Sequence, residues 1–270
     1  MVSCVDTLNA LNTIDWAALY KWKHQYPEFA CRYFGGGHTW TDPEFTDAKA
    51  STGGQLRFIG PIRASQVDPQ ETDGSIGNGY GITDGKDTCN RIMNPVNAGQ
   101  LSIPTYGVLV FLDVEPGTAI TPAYWAGFAD AVDRYKVGAG APFSPAVFCQ
   151  CTDQGGKYLP SPMVQEALGN AAHYWPSESV SCFGYWASEP EPCSYCAPDT
   201  VPDFSVFGTY EQPVGSGQVN NVPVKLYQYV QRGGCTSYPC SYPADWAGGQ
   251  NLDMDGSGTI GTEAQMLVIR

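Results

Sequence analysis

Basic residues are scarce in this chain: 14 lysines and arginines stand against 27 aspartates and glutamates, a formal net charge of −13. Nucleic acids and anionic membranes reward the opposite sign, so neither is expected as a partner. Histidine is scarcer still. His24, His38 and His173 are the three present, far apart along 270 residues, so no histidine metal triad is expected. No apolar run approaches the ~20 residues that a membrane span requires. The opening residues, MVSCVDTLNA, have neither the basic nor the apolar region of a signal peptide. Gly35–Gly37 is not followed by Gly-Lys-Ser/Thr, which argues against a phosphate loop. The Gly-x-Ser-x-Gly elbow of a serine nucleophile is missing as well. There is no internal repeat, low-complexity tract or domain linker.

Cysteine, by contrast, is plentiful. The ten are Cys4, Cys31, Cys89, Cys149, Cys151, Cys182, Cys193, Cys196, Cys235 and Cys240. The last five fall in loop-like sequence rich in Pro, Ser and Gly. An even count clustered in loops favours disulfides and an oxidising compartment, with connectivity left open. Zinc on Cys193, Cys196, Cys235 and Cys240 is the rival use, although the spacing of the second pair is not that of a usual zinc knuckle.

The chain is 43% hydrophobic and 13% aromatic, enough for a full core. Its most informative stretch is Gly107–Glu115, GVLVFLDVE, an apolar run ending in two carboxylates. Side chains alternate along a strand, so Asp113 and Glu115 share a face with Leu109 and Phe111. Val108, Val110, Leu112 and Val114 share the other. A run apolar on both faces describes a parallel strand covered on both sides. Acids at the carboxyl end of such a strand sit where α/β folds place their chemistry; capping the next turn is the plainer use of the same residues.

Seven further strands are expected at Val2–Leu8, Phe29–Phe34, Leu56–Ala64, Pro145–Gln150, Phe183–Ser188, Val224–Gln231 and Asn251–Asp255, with Met266–Ile269 a final apolar segment. Thr121 and Pro122 start the strongest helix, because threonine caps well and proline suits the first helical position. Trp125, Phe128, Ala129, Val132 and Tyr135 recur along it at helical spacing. Asp15–Tyr26, Asp87–Ala98 and Pro162–Asn170 read as other helices, and Ser65–Gly85 as a long polar loop. Strands alternating with helices imply parallel β with crossover helices. Eight strands in this length match a TIM-type (β/α)8 barrel, one domain spanning residues 1–270. Glu189–Pro223 lacks helical periodicity, so an irregular, disulfide-rich segment is expected in place of a helix after strand six.

In order, the chain carries Asp6, the pair Asp15–Trp16, CRYFGGG, the step Pro61–Ile62, LDVEPG, YWAS, LYQY and LDMD. This order resembles the family-25 glycoside hydrolases, lysozymes with an Asp-x-Glu strand. It resembles still more their relatives known as glycoside-hydrolase-like domains of unknown function. The resemblance spans nearly the whole chain. It implies Glu115 as the catalytic acid and Asp113 as the group that orients a substrate acetamido group or a water. It implies that Asp6 and Asp253 complete an acidic floor, and that Tyr185, Trp186, Tyr227 and Tyr229 line a sugar cleft, with strand parity admitting some of each pair. Crowded acids fit the chemistry. Glycoside hydrolysis needs one carboxyl kept protonated, and like-charge neighbours raise the pKa of at least one of the group.

Asp253, Asp255 and Ser257 also read as the first ligands of an EF-hand calcium loop with Gly258 at its turn, but Ala264 stands where the bidentate glutamate belongs. No other cofactor is expected. The resulting expectation is a lysozyme-like hydrolase of bacterial cell-envelope glycan, outside the cell, in the envelope or on a virion. The alternative is a non-catalytic glycan-binding or phage tail module on the same barrel, with virion proteins as partners.

Overall fold

A computed structural model describes residues 2–6, 29–35, 42–52, 57–64, 74–105, 107–114, 120–135, 143–188, 204–230, 253–257 and 267–269. In chain order the first strands are β1 (Val2–Asp6), β2 (Phe29–Gly35), β3 (Arg57–Ala64), β4 (Leu101–Ser102) and β5 (Val108–Val114). Then come β6 (Phe143–Asp153), β7 (Tyr158–Pro160), β8 (Tyr185–Ser188), β9 (Tyr210–Pro213) and β10 (Val219–Val222). The last are β11 (Val224–Val230), β12 (Asp253–Ser257) and β13 (Leu267–Ile269). Four helices are described: α1 (Asp42–Thr52), α2 (Gly74–Asn97), α3 (Pro122–Asp133) and α4 (Pro162–Tyr174).

Strands β1, β2, β3, β5, β6, β8, β11 and β12 pair in a ring, because β3 returns to β2. All neighbours from β1 round to β11 run parallel. Strand β12 is the exception. It runs antiparallel to both β11 and β1, so the all-parallel pattern of a (β/α)8 barrel is corrected at its eighth strand. The reason lies in partner direction, which side-chain alternation does not encode. Asp253, Asp255 and Ser257 lie in a strand paired on both edges, and the remainder of the candidate calcium loop lies outside the described residues.

Strand β5 is buried along its whole length. Val108, Val110, Leu112 and Val114 face the helical layer, where they join Tyr124, Trp125, Phe128 and Val132 of α3. Helix α3 begins as its residues dictate. Thr121 accepts a hydrogen bond from the Tyr124 N–H at 3.2 Å, and Pro122 occupies the first turn. The Trp125 indole N–H donates to the Val180 carbonyl at 3.0 Å.

Helix α2 replaces most of the expected Ser65–Gly85 loop, beginning at Gly74. Its glycines lower helix propensity by ~1 kcal/mol each, which is why the stretch reads as loop. They are spent on contact. A Cβ on Gly81 would lie 2.1 Å from the Tyr124 carbonyl oxygen, and one on Gly127 of α3 would lie 2.2 Å from the Asn78 carbonyl oxygen. The two backbones meet there without side chains between them. The Tyr124 hydroxyl donates to Asp84 at 2.7 Å and the Tyr135 hydroxyl to Asn90 at 2.6 Å, which fixes the register of the pair.

The expected Asp15–Tyr26 helix lies outside the described residues. So does the first part of the Glu189–Pro223 segment, with Cys193 and Cys196. Its remainder is ordered rather than irregular: β9 and β10 form an antiparallel hairpin against α4. Gln212, fully buried in β9, holds it there. Its side-chain carbonyl accepts from the Cys182 N–H at 2.8 Å, and its amide donates to the carbonyls of Val180 (2.8 Å) and Leu168 (3.2 Å). Gln212→Leu would keep the volume but strand these three partners. A stability loss of about 3 kcal/mol is expected, read as a lower denaturant midpoint at unchanged slope.

The disulfide expectation is corrected for four cysteines. Cys89, Cys149, Cys151 and Cys182 are buried free thiols. They behave as small hydrophobes in the layer between barrel and helices. Burial pushes the Cys182 thiol up to about 12, and the Cys149 thiol rises through its hydrogen bond with Cys151 and its burial. Cys235 and Cys240 lie outside the described residues, so the zinc alternative does too.

Candidate active site

On the inner face of β5 stand Leu109, Phe111 and Asp113, all at most 4% exposed. The ladders carry the Asp113 row sideways: Asp113 pairs with Phe148 of β6, Phe148 with Trp186 of β8, and Trp186 with Leu226 of β11. Register partners in parallel strands share a face, so one row across the barrel interior reads carboxylate, phenyl, indole, isobutyl. Trp186 packs edge-on against Phe148 (centroids 5.0 Å) and Phe111 (5.6 Å). On its other side, Asp113 pairs with Ala64 of β3. Two strands away, Tyr33 of β2 also faces inward, and its hydroxyl donates to Asp113 Oδ2 at 3.2 Å.

Strand parity separates the two aromatic pairs. Trp186 lies inside, whereas Tyr185 belongs to the outer core and donates its hydroxyl to the Gly208 carbonyl at 2.7 Å. Burial raises the Tyr185 pKa, so the phenol stays neutral. The expectation of Tyr185 in a sugar cleft is therefore corrected: its polar end is committed to backbone under the outer layer. Tyr227 stands in the row of Ala187, an outer-core residue, rather than in the row of Trp186. Tyr229 lies on β11 two residues on.

Asp6 closes β1, and Asp253 opens β12 directly opposite it. Because β12 is reversed, its first residue falls at the rim formed by the carboxyl ends of the parallel strands. Asp113 is next to last in β5, at the same rim. Asp6 pairs with Cys31, two positions before Tyr33 on β2. The backbone thus brings Asp6, Asp113 and Asp253 to one end of the ring. Glu115 lies outside the described residues.

Tyr33 was not singled out from sequence. Its signal was available: a tyrosine near the end of a strand that also carries Cys31, the register partner of Asp6. Among the described residues, no group of three or more His, Cys, Asp or Glu side chains is placed to hold a metal. No described helix is long and apolar enough to cross a membrane.

No protein-family model matches the chain, and no curated protein matches it in sequence. Solved structures do match. An uncharacterized B. stearothermophilus protein superposes with a TM-score of 0.58 at 14% identity, over 98% of this chain and 100% of the other. The two chains share a fold. Two further matches span the same 98% of this chain and 97% of theirs. One is the catalytic domain of endolysin ply40 from bacteriophage P40 of Listeria monocytogenes (TM-score 0.49, 14% identity). The other is a muramidase from Acremonium alcalophilum (TM-score 0.47, 12% identity).

Proposed function

We propose that this chain is a lysozyme-like glycoside hydrolase, one barrel over residues 1–270, that cleaves bacterial cell-envelope glycan outside the cell or on a virion. The observation that supports the reading is one of backbone placement: Asp6 and Asp253 are register partners at the carboxyl end of β1, and Asp113 stands near the same end of β5 in the closed ring. Enzymes on parallel barrels work at that rim. In this reading Glu115, two residues beyond Asp113, donates the proton to the leaving oxygen. Asp113 orients an acetamido group or a water, and Asp6 and Asp253 add negative potential that favours the oxocarbenium-like transition state. Trp186 with Phe148 supplies an apolar wall beside Asp113.

One observation favours a second reading, a glycan-binding or tail module on the same barrel. Asp113 is 4% exposed and Trp186 fully buried, which leaves little of either for a substrate. Purified protein incubated with insoluble bacterial cell wall separates the two. Release of new reducing ends is expected. Retention on the wall with no release would remove the hydrolase and leave the binding module.

A further inference from the structure

We infer that Tyr33 is a positioning residue for the proposed reaction, acting through the hydrogen bond from its hydroxyl to Asp113 Oδ2. This rests on the glycosidase reading of the rim. The bond joins residues 80 apart in sequence and is buried. It reaches past β3, since β2 and β5 are each paired to β3 on opposite edges. Neighbouring strands lie about 4.8 Å apart, so a span of two steps needs a long side chain on one strand and a short one on the other. Tyrosine facing aspartate meets that need.

The aspartate needs such a partner. Its last torsion joins an sp³ to an sp² carbon and has a broad, two-fold profile, so backbone and first rotamer alone leave the carboxylate plane loose. A group that orients a substrate amide or a water must hold its lone pairs within tens of degrees, or the gain from preorganisation is lost. A donor to one oxygen fixes that plane. Tyr33 can hold it because the phenol is itself immobilised: it is 6% exposed and stands on a strand paired on both edges. The 3.2 Å separation is longer than the roughly 2.5–2.7 Å of tight bonds to carboxylates. Such contacts shorten when a catalytic site is loaded.

The role is distinguishable from packing. Phenylalanine at position 33 keeps the ring and removes only the O–H. If Tyr33 merely fills the barrel, Tyr33→Phe costs some stability and leaves turnover intact. Cys149 on the outer face of β6 also senses the Asp113 charge, and its thiol is held neutral by its hydrogen bond with Cys151 and by burial. A change in the acid limb of the rate profile on losing the hydroxyl therefore reports on the rim acids. An Asp113→Ala background, which has neither the charge nor an acceptor, then separates Asp113 from Asp6, Asp253 and Glu115.

The experiment compares the parent, Tyr33→Phe, Asp113→Ala and the double variant by reducing-end release from cell-wall glycan across pH, with rates normalised to the folded fraction from thermal unfolding. Tyr33→Phe is expected to lower kcat about tenfold with KM within about twofold, the loss expected for one hydrogen bond to a charged group. Its acid limb is expected to move to higher pH, because the ionised carboxylate has lost a donor. In the Asp113→Ala background, which lacks the acceptor, the same substitution is expected to cost nothing further. Parental kcat and pH profile in Tyr33→Phe, or an equal loss in the Asp113→Ala background, overturns the role of Tyr33 while the glycosidase reading stands. A parent that releases no reducing ends overturns the glycosidase reading, and this role with it.

Discussion

Glu115→Gln is expected to release reducing ends from cell-wall glycan at least about a hundredfold more slowly than the parent, with the fold intact. A positioned general acid contributes about 10²–10⁴ in rate, and glutamine matches glutamic acid in shape while lacking a proton to give. The loss belongs in kcat, because a sugar bound in the ground state has no developing charge on its leaving oxygen. The rim acids sharpen the expectation. Asp113 is buried, and Asp6 and Asp253 are register partners on β1 and β12. In the proposed reading Glu115 joins these acids, and removing one acid from such a group relieves repulsion, so the variant is expected to unfold no earlier than the parent. Parental turnover in the folded variant would remove Glu115 as proton donor. Any remaining activity would then have to come from another rim acid.

Gly127→Ala is expected to destabilise the protein by several kcal/mol, on the order of half of a domain's usual 5–15 kcal/mol. The added Cβ would sit 2.2 Å from the Asn78 carbonyl oxygen and 2.9 Å from the Ile82 nitrogen. Both are backbone atoms of α2, so relief requires the helices to part. That movement would break the Tyr124–Asp84 and Tyr135–Asn90 hydrogen bonds and open the layer over β5. Gly81→Ala is expected to act alike, with its Cβ 2.1 Å from the Tyr124 carbonyl oxygen. Gly79 provides the opposite sign within the same helix. It is exposed, and a Cβ there meets nothing within 4 Å. Gly79→Ala is expected to stabilise by about 0.5–1 kcal/mol through helix propensity alone. Denaturant unfolding of the three variants checks both signs. Equal effects at 79 and 127 would mean that the helices do not touch through these glycines.

The outcome at these helices shows where sequence reading stops. A glycine lowers helix propensity whether it lies in a loop or in a helix packed backbone to backbone. Local pattern therefore returns loop for residues that α2 incorporates, and only the facing helix reveals their purpose. The same limit governs the cysteines. Loop-like surroundings suggest a cross-link for Cys182, but it lies with Cys149 and Cys151 in an apolar layer, where a thiol serves as a small side chain.

Each of the eight ring strands was legible along the chain, because alternation and apolar runs are local properties of a pleated strand. So was the start of α3, where Thr121 and Pro122 act within one turn. Asp6, Asp113 and Asp253 each lie in or at the end of a strand expected from that pattern. Tertiary structure alone decided that β12 runs backwards, which brings Asp253 opposite Asp6. It also decided that Trp186 faces inward while Tyr185 faces out, and that Tyr33 reaches Asp113 across β3. Periodicity says how a segment folds on itself. Strand direction, the choice of face and a hydrogen bond spanning 80 residues depend on which segments meet, and that is set by the closure of the ring.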